Sequence, residues 1–397
     1  MAQQYDVIIN GGGMVGLALA NLISSDCQVA VIDPAGFDSA GFNSDEHTPD
    51  HIDSRVSAIS KRSQTILTDA GAWSRLDEQR LTPYQTMCVW DENGSEQLDF
   101  TAQSIAQDNL GTIIENSQIR AALIIAAKQR NNLQLIDDKI DEIVRDDQRV
   151  EVTLAEQGRI AAPLIVAADG ALSSIRQHFE FDIEEFDYQQ IALVANIETE
   201  LPHQSCAWQR FLTSGPIAYL PLFRPNHCSI VWSVDAEKAD ELKSMDTTHL
   251  EQRIAHALDG RLGNVKLVSE VKSFPLIARH SKEYLQDRVA LVGDAAHSIH
   301  PLAGQGVNLG FADAQSLAEQ INNNHQKALD LGLRQALRPY ERGRKGENHM
   351  TQKAMTALNW MYQTQAPALV VARNLGVNIL NNLPLLKTRL IKQAMGF

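Results

Sequence analysis

Short, unbroken runs of apolar residues recur along the chain, each bounded by glycine or polar residues. This pattern is typical of strands that are buried on both faces of a parallel sheet. Two longer apolar stretches, residues 14–23 and 307–320, have the length of helices. Their alternation with the strands predicts a doubly wound α/β fold. The predicted buried strands are residues 5–9, 29–32, 164–168 and 288–292.

A different pattern begins near Tyr188. Strand-like segments follow one another with few helices between them, which predicts a second, mostly antiparallel sheet. Such a sheet could wall a substrate cavity, and residues 82–100 are predicted to join it through their MCVW segment. The predicted strands are residues 191–198, 207–212, 217–221, 228–234 and 271–276.

The two lobes are therefore expected to interleave along the chain, which at 397 residues is long enough for two hydrophobic cores. We predict that residues 1–180 form the first lobe, with an excursion near residues 82–100 into the second. Residues 181–280 are predicted to form the second lobe, and residues 281–330 to return to the first. Residues 331–397 are predicted to be C-terminal helices.

A glycine-rich motif links the first predicted strand to the first helix. Gly11, Gly13 and Gly16 complete the pattern G-x-G-x-x-G, and Asp33 ends the next strand. The glycines allow a tight turn, a close approach of a pyrophosphate and the packing of helix against strand, while the acid binds ribose hydroxyls. The motif predicts adenine dinucleotide binding. Asp33 fits an unphosphorylated ribose, because its carboxylate would repel a 2′-phosphate, and it is therefore compatible with NAD and FAD alike.

A second ligand-binding signature lies between Arg288 and Gly310. Asp294 follows a strand, at the edge where open α/β sheets bind ligands, and can accept hydrogen bonds from a sugar or polyol. Gly304, Gly306 and Gly310 are predicted to let the backbone pass close to a flat ligand. The helix that follows would direct its amino end toward the same ligand.

A third signature follows the strand at residues 164–168. Asp169, Gly170, Ser173 and Arg176 form the pattern D-G-x-x-S-x-x-R. With the three motifs in this order, the chain resembles the FAD-dependent aromatic hydroxylases, the class A flavin monooxygenases related to p-hydroxybenzoate hydroxylase. The resemblance spans nearly the whole chain.

Within that family the sequence is most similar to the hydroxylases of ubiquinone biosynthesis. The shared stretches are DSRVSAIS around Arg55, the ENS that begins at Glu115, and HPLAGQGVNLG from His300. Further stretches, HCSIVWS, YERGRK and IKQAMG, resemble the bacterial members that hydroxylate carbon C5 of octaprenylphenol.

The resemblance implies a fold, cofactors and a reaction. The fold would be a Rossmann-like FAD-binding lobe of the p-hydroxybenzoate hydroxylase type, with a mostly antiparallel β-sheet substrate lobe and C-terminal helices. NAD(P)H would reduce the FAD, O2 would add at flavin carbon C4a, and the hydroperoxide would hydroxylate the phenol ring of a polyprenylphenol. The substrate lobe would exclude water, which destroys the hydroperoxide.

The resemblance also assigns residues to the FAD. Asp294 would bind the ribityl chain, and Gly293 would lie at the pyrophosphate. Asp33 departs from the family pattern, because many relatives have Glu there, so its ribose contact is displaced or bridged by water. The residues implied for the ADP half are Gly11, Gly13, Gly16 and Asp33.

Other residues are implied near the flavin itself. Arg55 matches a position near the flavin phosphates, where a fixed cation offsets phosphate charge. Asn116 would contact the ribityl chain, and Asp169, with Gly170 and Arg176, belongs to a motif associated with both flavin and nicotinamide binding. The residues implied beside the isoalloxazine are Pro301, Gly304, Gln305 and Gly306.

The candidates for catalysis lie at the flavin edge: His300, Pro301 and Gln305. A base near the phenol ring would assist hydroxylation, because a phenolate is a better nucleophile than a phenol. His297 is a second histidine of this segment, and packing or backbone hydrogen bonding explains it equally well. The sequence leaves open whether either histidine moves a proton or only supports the loop.

The composition of the chain limits the classes of partner that the protein is expected to bind. The net charge of −14 argues against nucleic acid, because phosphate binding needs a basic surface. No apolar run has membrane-spanning length and no signal-peptide pattern precedes the first strand, so we expect a cytoplasmic protein, with peripheral contact at the inner membrane as an option. The four scattered cysteines predict free thiols and no metal site.

A polyprenyl tail is implied by the resemblance alone. Trp208, Phe211 and residues 219–223 either line an apolar slot for it or form ordinary sheet core. Residues 360–397 alternate apolar and basic groups, which suits contact with acidic lipid, contact with a partner protein, or helices packed on the first lobe. We also expect a homo-oligomer and a complex with other proteins of ubiquinone biosynthesis.

Several functions remain compatible with the sequence. The first is the FAD-, NAD(P)H- and O2-dependent phenol hydroxylase, acting at C5 or, as a sister enzyme, at another ring carbon. The second is a flavin oxidoreductase that does not hydroxylate, and the third is an assembly protein with structural FAD. A plain NAD dehydrogenase would leave Asp294 and its glycine loop without a purpose.

Overall fold

The computed structural model describes residues 2–38, 52–94, 96–300 and 306–364, and beyond them residues 366, 370, 373–376, 378, 383, 387 and 388. In these residues the helices are α1 (Met14–Leu22), α2 (Lys61–Asp69), α3 (Asn116–Lys128), α4 (Ser174–His178), α5 (Ala236–Ser244), α6 (Thr247–Ala257), α7 (Gly306–Gln326) and α8 (Arg334–Gln363). Short 3-10 turns lie at Trp73–Arg75, Glu78–Arg80, Ala102–Ile105 and Gly293–Ala295.

The strands are, in chain order, β1 (Gln3–Gln4), β2 (Val7–Asn10), β3 (Val29–Ile32), β4 (Val56–Ile59), β5 (Thr82–Tyr84), β6 (Thr86–Asp91), β7 (Gln97–Thr101), β8 (Gly111–Glu115), β9 (Leu133–Ile136), β10 (Ile140–Arg145), β11 (Val150–Leu154), β12 (Gly158–Ala162), β13 (Leu164–Ala167), β14 (Ile183–Thr199), β15 (Cys206–Leu212), β16 (Gly215–Pro221), β17 (His227–Asp235), β18 (Val265–Leu267), β19 (Lys272–Ser281), β20 (Leu285–Gln286), β21 (Val289–Leu291) and β22 (His297–Ser298).

The first lobe is built on a largely parallel sheet. Its described strands follow the order β20-β21-β13-β2-β3-β9, and every pair from β21 to β9 is parallel. All residues of β2, β3 and β13 are buried, as their unbroken apolar runs predict. The expected Rossmann-like architecture is confirmed. Smaller sheets flank it, with orders β1-β12-β11-β10 and β4-β8-β5.

The second lobe is one large, mostly antiparallel sheet. Its described strands follow the order β22-β19-β14-β17-β16-β15-β6-β7, with β18 paired to β14. The pairing of β6 with β15 is parallel, and it brings Thr86–Asp91 onto this sheet from the first part of the chain. We refer to this sheet as the substrate sheet.

Helices α5 and α6 correct the expectation of few helices in this lobe. They follow β17 directly, and Asp246 caps α6 by accepting a hydrogen bond from the backbone N–H of His249 at 3.1 Å. Their apolar faces cover the substrate sheet, where Leu242, Leu250 and Ile254 belong to its hydrophobic core. The Asp246 cap and the polar residues of α5 and α6 indicate helices, but the strand-based interpretation did not use these signals.

The substrate sheet also decides between the two interpretations of the predicted apolar slot. Tyr219 is fully buried, and its hydroxyl donates to the backbone carbonyl of Ile254 at 2.9 Å. Phe211 stacks on Tyr362 with 3.8 Å between ring centroids. Both residues are therefore sheet core, and the slot interpretation is wrong for them.

Helix α8 joins the two lobes. Leu337 and Tyr340 near its start are buried in the core of the first lobe, whereas Tyr362 near its end packs on the substrate sheet. Arg373 belongs to the segment for which the sequence left contact with lipid, contact with a partner and packed helices open, and it is buried in an ion pair with Asp91 at 2.6 Å. No helix in the described part of the chain combines the length and hydropathy needed to cross a bilayer.

Candidate cofactor site

The predicted motifs meet at one edge of the parallel sheet. Strands β21, β13, β2 and β3 are neighbours, and each leads into one motif. Carboxyl ends of parallel strands share an edge, so residues distant in sequence come together there. The motif residues gathered in this way are Gly11 after β2, Asp33 after β3, Asp169 after β13 and Asp294 after β21.

The glycines after β2 have different tasks. Gly11 has φ +117°, and a Cβ atom there would lie 2.3 Å from the carbonyl oxygen of Ala168. A Cβ atom at Gly16 would lie 2.0 Å from the carbonyl oxygen of Gly11. Gly13, in contrast, has no described atom within 4 Å of such a Cβ. The space before α1, whose amino end has no side-chain cap, is therefore open to an anion.

Asp33 is held in place beside this turn. Its Oδ2 atom accepts a hydrogen bond from the backbone N–H of Gly12 at 2.6 Å, and its Oδ1 atom accepts one from Ala35 at 2.8 Å. Arg120 of α3 donates to the carbonyl oxygens of Gly12 and Gly36 at 2.8 and 2.6 Å, which braces both loops. The sequence analysis missed Arg120. Its only signal was a cation followed by the apolar run of residues 121–127.

Asp169 leaves one carboxylate oxygen without a partner. Its Oδ2 atom accepts hydrogen bonds from Asn10 at 3.0 Å and from the backbone and hydroxyl of Ser174 at 2.8 and 2.9 Å. Its Oδ1 atom is buried and has no hydrogen-bond partner among the described residues. Such an orphaned acceptor calls for a donor from outside the protein.

Arg176 of the same motif is a structural residue. Its guanidinium is buried and donates to the backbone carbonyls of Ala295 at 2.9 Å and Ala171 at 2.7 Å. It therefore ties the loop after β13 to the loop after β21. The motif contributes Asp169, rather than Arg176, to the open edge.

Asp294 is exposed to solvent in the short turn that follows β21. Desolvation by the surrounding protein raises its pKa, and His297, Arg55 and Arg279 offset only part of that effect. Gly293 has φ +57°, and a Cβ atom there would lie 3.2 Å from Cγ1 of Val15, so this loop is pressed against α1.

Gly310 requires a correction. We expected it to let the backbone approach a ligand, but it lies inside α7, where a Cβ atom would come within 2.6 Å of Cγ2 of Val15. Its small size serves the packing of α7 against α1. Gly306 begins α7 in open space among the described residues, as the ligand role requires. Pro301, Gly304 and Gln305 lie outside the described residues.

Arg55 and Asn116 are neighbours. The backbone N–H of Asn116 donates to the carbonyl oxygen of Arg55 at 3.0 Å, and Ser57 donates its hydroxyl to Oδ1 of Asn116 at 2.6 Å. The Arg55 side chain is exposed and lies over the ring of Phe274, 5.7 Å from its centroid. Phe274 belongs to β19, so this contact joins the cofactor edge to the substrate sheet.

His297 and His300 have different surroundings. His297 is buried, with its Nε2 atom 2.5 Å from Oδ2 of Asp313. His300 is buried against Tyr188, with ring centroids 4.9 Å apart, and burial lowers the pKa of His300 to about 4. Its Nε2 atom lies 3.2 Å from Oε1 of Gln190, while Nδ1 has no partner among the described residues.

These residues fit FAD. The open amino end of α1 can receive a pyrophosphate, the orphaned oxygen of Asp169 can accept a hydrogen bond, and the exposed carboxylate of Asp294 can bind a polyol. Bound FAD supplies hydride acceptance and O2 activation, which side chains cannot provide.

Comparison with known proteins decides the family. The family model described as FAD binding domain matches residues 4–345. The chain belongs to this FAD-binding family. It is 34% identical to the mitochondrial ubiquinone biosynthesis monooxygenase COQ6 of Xenopus tropicalis, over 99% of this chain and 93% of that protein. It is 33% identical to the 3-demethoxyubiquinol 3-hydroxylase of Escherichia coli K12, over 99% of each.

A solved structure supports the same fold. The p-nitrophenol 4-monooxygenase of Pseudomonas putida DLL-E4 superposes with a TM-score of 0.81 at 17% identity, covering 100% of this chain and 99% of that chain. The FAD-binding fold, the flavin cofactor and the assignment as a monooxygenase are thus confirmed. The relatives are enzymes of ubiquinone biosynthesis.

Proposed function

We propose that the protein hydroxylates carbon C5 of the ring of octaprenylphenol in ubiquinone biosynthesis. Each turnover would consume NAD(P)H, a proton and O2. One oxygen atom would enter the ring as a hydroxyl group and the other would leave as water. The observation that carries the proposal is the 34% identity of the chain, over 99% of its length, to the ubiquinone biosynthesis monooxygenase COQ6. The contact of Arg55 with Phe274 supports it, because it sets the cofactor edge against the substrate sheet.

The residues of the chain would bind and orient the reactants. Gly13 would expose amide donors to the pyrophosphate, and Asp33 would bind the adenine-side ribose. Asp169 and Asp294 would hold the flavin side, together with Arg55 near the phosphates. We assign Pro301, Gly304, Gln305 and Gly306 to the isoalloxazine edge, and Asn116 to the ribityl chain.

We assign His300 as the hydrogen-bond acceptor that orients the phenol hydroxyl, because a ring with a pKa of about 4 is too weak a base to remove the phenol proton at neutral pH. Oε1 of Gln190 is the acceptor in its contact with His300, since the amide nitrogen of Gln190 donates to the carbonyl oxygen of Ser214 at 3.3 Å. The hydrogen of the neutral imidazole then resides on Nε2, and Nδ1 is an acceptor without a partner among the described residues. A His300→Asn variant should slow single-turnover hydroxylation, and an unchanged rate would remove His300 from the mechanism.

Quinone intermediates in a gene-deletion strain test the ring position. Accumulated octaprenylphenol, cleared by the wild-type gene, is the expected result. A later, methoxylated intermediate would instead assign the protein to another ring carbon. That second candidate is favoured by the similarity to 3-demethoxyubiquinol 3-hydroxylase, a relative that acts at a different step by its name.

Purified protein tests the reaction type. Substrate-dependent oxidation of NADH or NADPH, with one atom of ¹⁸O from ¹⁸O2 in the product, would support hydroxylation. Flavin reduction without O2 uptake would indicate a non-hydroxylating oxidoreductase. A bound flavin that neither nucleotide reduces would indicate an assembly protein with structural FAD.

The substrate's tail bears on location. We infer that the protein draws its substrate from the inner membrane and contacts that surface peripherally, as an oligomer and with other enzymes of the pathway. Binding to lipid vesicles that is lost on deletion of residues 366–397, with FAD content intact, would support this inference. Retained binding would place the contact elsewhere.

A further inference from the structure

An apolar groove lies between α8 and the substrate sheet. Its volume is about 620 Å³, within the range of small-molecule sites. The sheet contributes Phe186, Tyr188 and Ala278, and the facing side of α8 contributes Thr356, Ala357 and Trp360. Phe186 is 56% exposed and Trp360 is 60% exposed, so the groove opens between two large aromatic side chains. Large apolar groups left at a surface in this way indicate a binding site.

Two alanines lie among the larger residues that line the groove. Ala357 belongs to α8 and Ala278 to β19, and a larger side chain at either position would occupy part of the space. Helix α8 also contributes polar side chains to the lining, among them Gln352 and Lys353. Leu358, the next residue of α8, does not line the groove and is 37% exposed.

A β-bulge connects the groove to the cofactor edge. The register between β14 and β19 shifts between Asp187 and Gln190, and Gln189 has φ +55°. Bulges re-aim side chains, often next to active sites. Here the hydroxyl of Tyr188 pairs with Oγ1 of Thr356 at 2.6 Å, while the Tyr188 ring contacts His300.

A second contact reaches the same histidine. Nδ2 of Asn359, which also lines the groove, donates to Oε1 of Gln190 at 3.1 Å, and that oxygen also contacts Nε2 of His300. The floor of the groove is therefore one side chain away from the residue that we assign to the phenol.

We propose that this groove binds the isoprenoid tail of the phenol substrate. The proposal rests on the proposed function and deepens it by assigning a site to the tail. An isoprenoid chain is apolar along its whole length and has no charged group at its far end. The charged residues at the groove are Glu184, Glu185 and Lys353, so the lining has an excess negative charge that disfavours an anionic lipid headgroup and does not oppose an uncharged hydrocarbon.

A pair of substrates and a pair of variants test the proposal. The probes are 2-farnesylphenol and 2-(3-methylbut-2-enyl)phenol, which differ only in tail length. Ala357→Trp fills the groove, and Leu358→Trp is the matched control on the same helix. We expect Ala357→Trp to raise the KM for farnesylphenol by about tenfold or more, the effect of losing about two buried methylene groups, with little change for the short phenol. Leu358→Trp should change neither.

A binding measurement keeps the test independent of turnover. Titration calorimetry of the FAD-loaded protein with farnesylphenol should show the same loss of about tenfold in affinity for Ala357→Trp. Equal effects on both phenols, or none on either, would overturn the proposal. So would a changed oligomeric state of Ala357→Trp in sedimentation, which would make the groove a contact between copies. Farnesylphenol that binds in the groove without being hydroxylated would refute the proposed function and leave the groove assignment standing.

Discussion

The Nε2 atom of His297 lies 2.5 Å from Oδ2 of Asp313, and both side chains are buried. The same carboxylate accepts hydrogen bonds from the backbone N–H of Gly293 at 3.2 Å, from Arg344 at 2.8 Å and from Asn348 at 3.0 Å. Burial alone would raise the pKa of Asp313, but these donors, His297 and Arg344 foremost, hold it below its ordinary value. Asp313 thus ties α7 and α8 to the loop that carries Asp294.

Removing this charge should destabilise the protein. We expect Asp313→Asn to lower the free energy of unfolding of the apoprotein by about 3 to 5 kcal/mol, because Arg344 would lose its buried counter-charge. The variant should also bind FAD more weakly, since Gly293 loses its acceptor. Urea unfolding and FAD titration measure the two effects. Glu347→Gln removes the partly exposed partner of Arg344 and should cost at most about 1 kcal/mol. An unfolding curve of Asp313→Asn that matches the wild type would contradict this account.

Two glycines of one motif should respond differently to alanine. Gly13→Ala adds a methyl group in open space, so the apoprotein should keep its stability while FAD affinity falls. Gly16→Ala places its Cβ against the backbone of Gly11 and should destabilise the apoprotein itself. Thermal unfolding of both apoproteins, with FAD titration of the folded ones, separates these effects.

Gly343→Ala is the matched control for the glycine experiment. It lies in α8, is exposed, and has nothing within 4 Å of an added Cβ, so it should stabilise the helix by up to about 1 kcal/mol and leave FAD affinity unchanged. A loss of apoprotein stability in Gly13→Ala as large as that in Gly16→Ala would show that the two glycines share one structural task.

The ionised side chain of Asp294 should lower the stability of the apoprotein near neutral pH. Desolvation raises its pKa in the folded state, so the folded protein binds a proton more readily than the unfolded chain, and the ionised side chain costs stability. Asp294→Asn should therefore be more stable than the wild type at pH 7. The difference should shrink as pH falls toward about 3.9, the pKa of a free aspartate. Urea unfolding of the apoproteins across this pH range gives the measurement.

The FAD affinity of Asp294→Asn should change in the direction opposite to its apoprotein stability. Asp294→Asn should lose FAD affinity although its apoprotein is more stable, because an acceptor for the ribityl hydroxyls is weakened. Asp141→Asn, at an exposed position of β10 in the same lobe, provides a comparison for the titration. An Asp294→Asn apoprotein that is less stable at pH 7 than the wild type would contradict the desolvation of Asp294.

His300 should make stability depend on acidity. Its pKa is lowered to about 4 in the folded protein, so the neutral ring is favoured there and the unfolded chain binds the extra proton. Stability from this source is present above pH 6.5 and is lost as pH falls from about 6.5 to about 4, by up to roughly 3 kcal/mol. His300→Gln should show a smaller loss over that range in urea unfolding. Parallel curves for the two proteins would mean that His300 is not a buried neutral histidine.

Local patterns predicted the parts of the site that local geometry controls. The turn at Gly11 and the close contact at Gly16 require residues without a side chain, and the sequence states those residues directly. Asp33, Asp169 and Asp294 could be placed at one sheet edge because each follows a buried parallel strand. The sequence analysis did not assign α5 and α6, although the Asp246 cap and the amphipathic pattern of α6 are local signals of a helix.

Some residues have roles that depend on contacts with distant parts of the chain, and the neighbouring sequence did not predict those roles. Arg120 braces loops around Gly12 and Gly36, which lie far from it along the chain. Gly310 lacks a side chain like the cofactor-loop glycines, yet its role is to let Val15 pack closely against α7. Arg176 belongs to a cofactor motif, yet its guanidinium donates hydrogen bonds to the backbone carbonyls of Ala295 and Ala171.

The sequence by itself determined the fold class and the flavin cofactor, and it predicted the acids that we propose to face that cofactor, because backbone conformation and strand burial depend on residues close together in the chain. Only the tertiary structure decided that Asp313 holds Gly293 and His297, that Tyr219 is core, and that Tyr188 turns from a bulge toward His300 beside an apolar groove. Those roles depend on which distant groups a side chain meets, and such long-range contacts leave no period or spacing in the sequence.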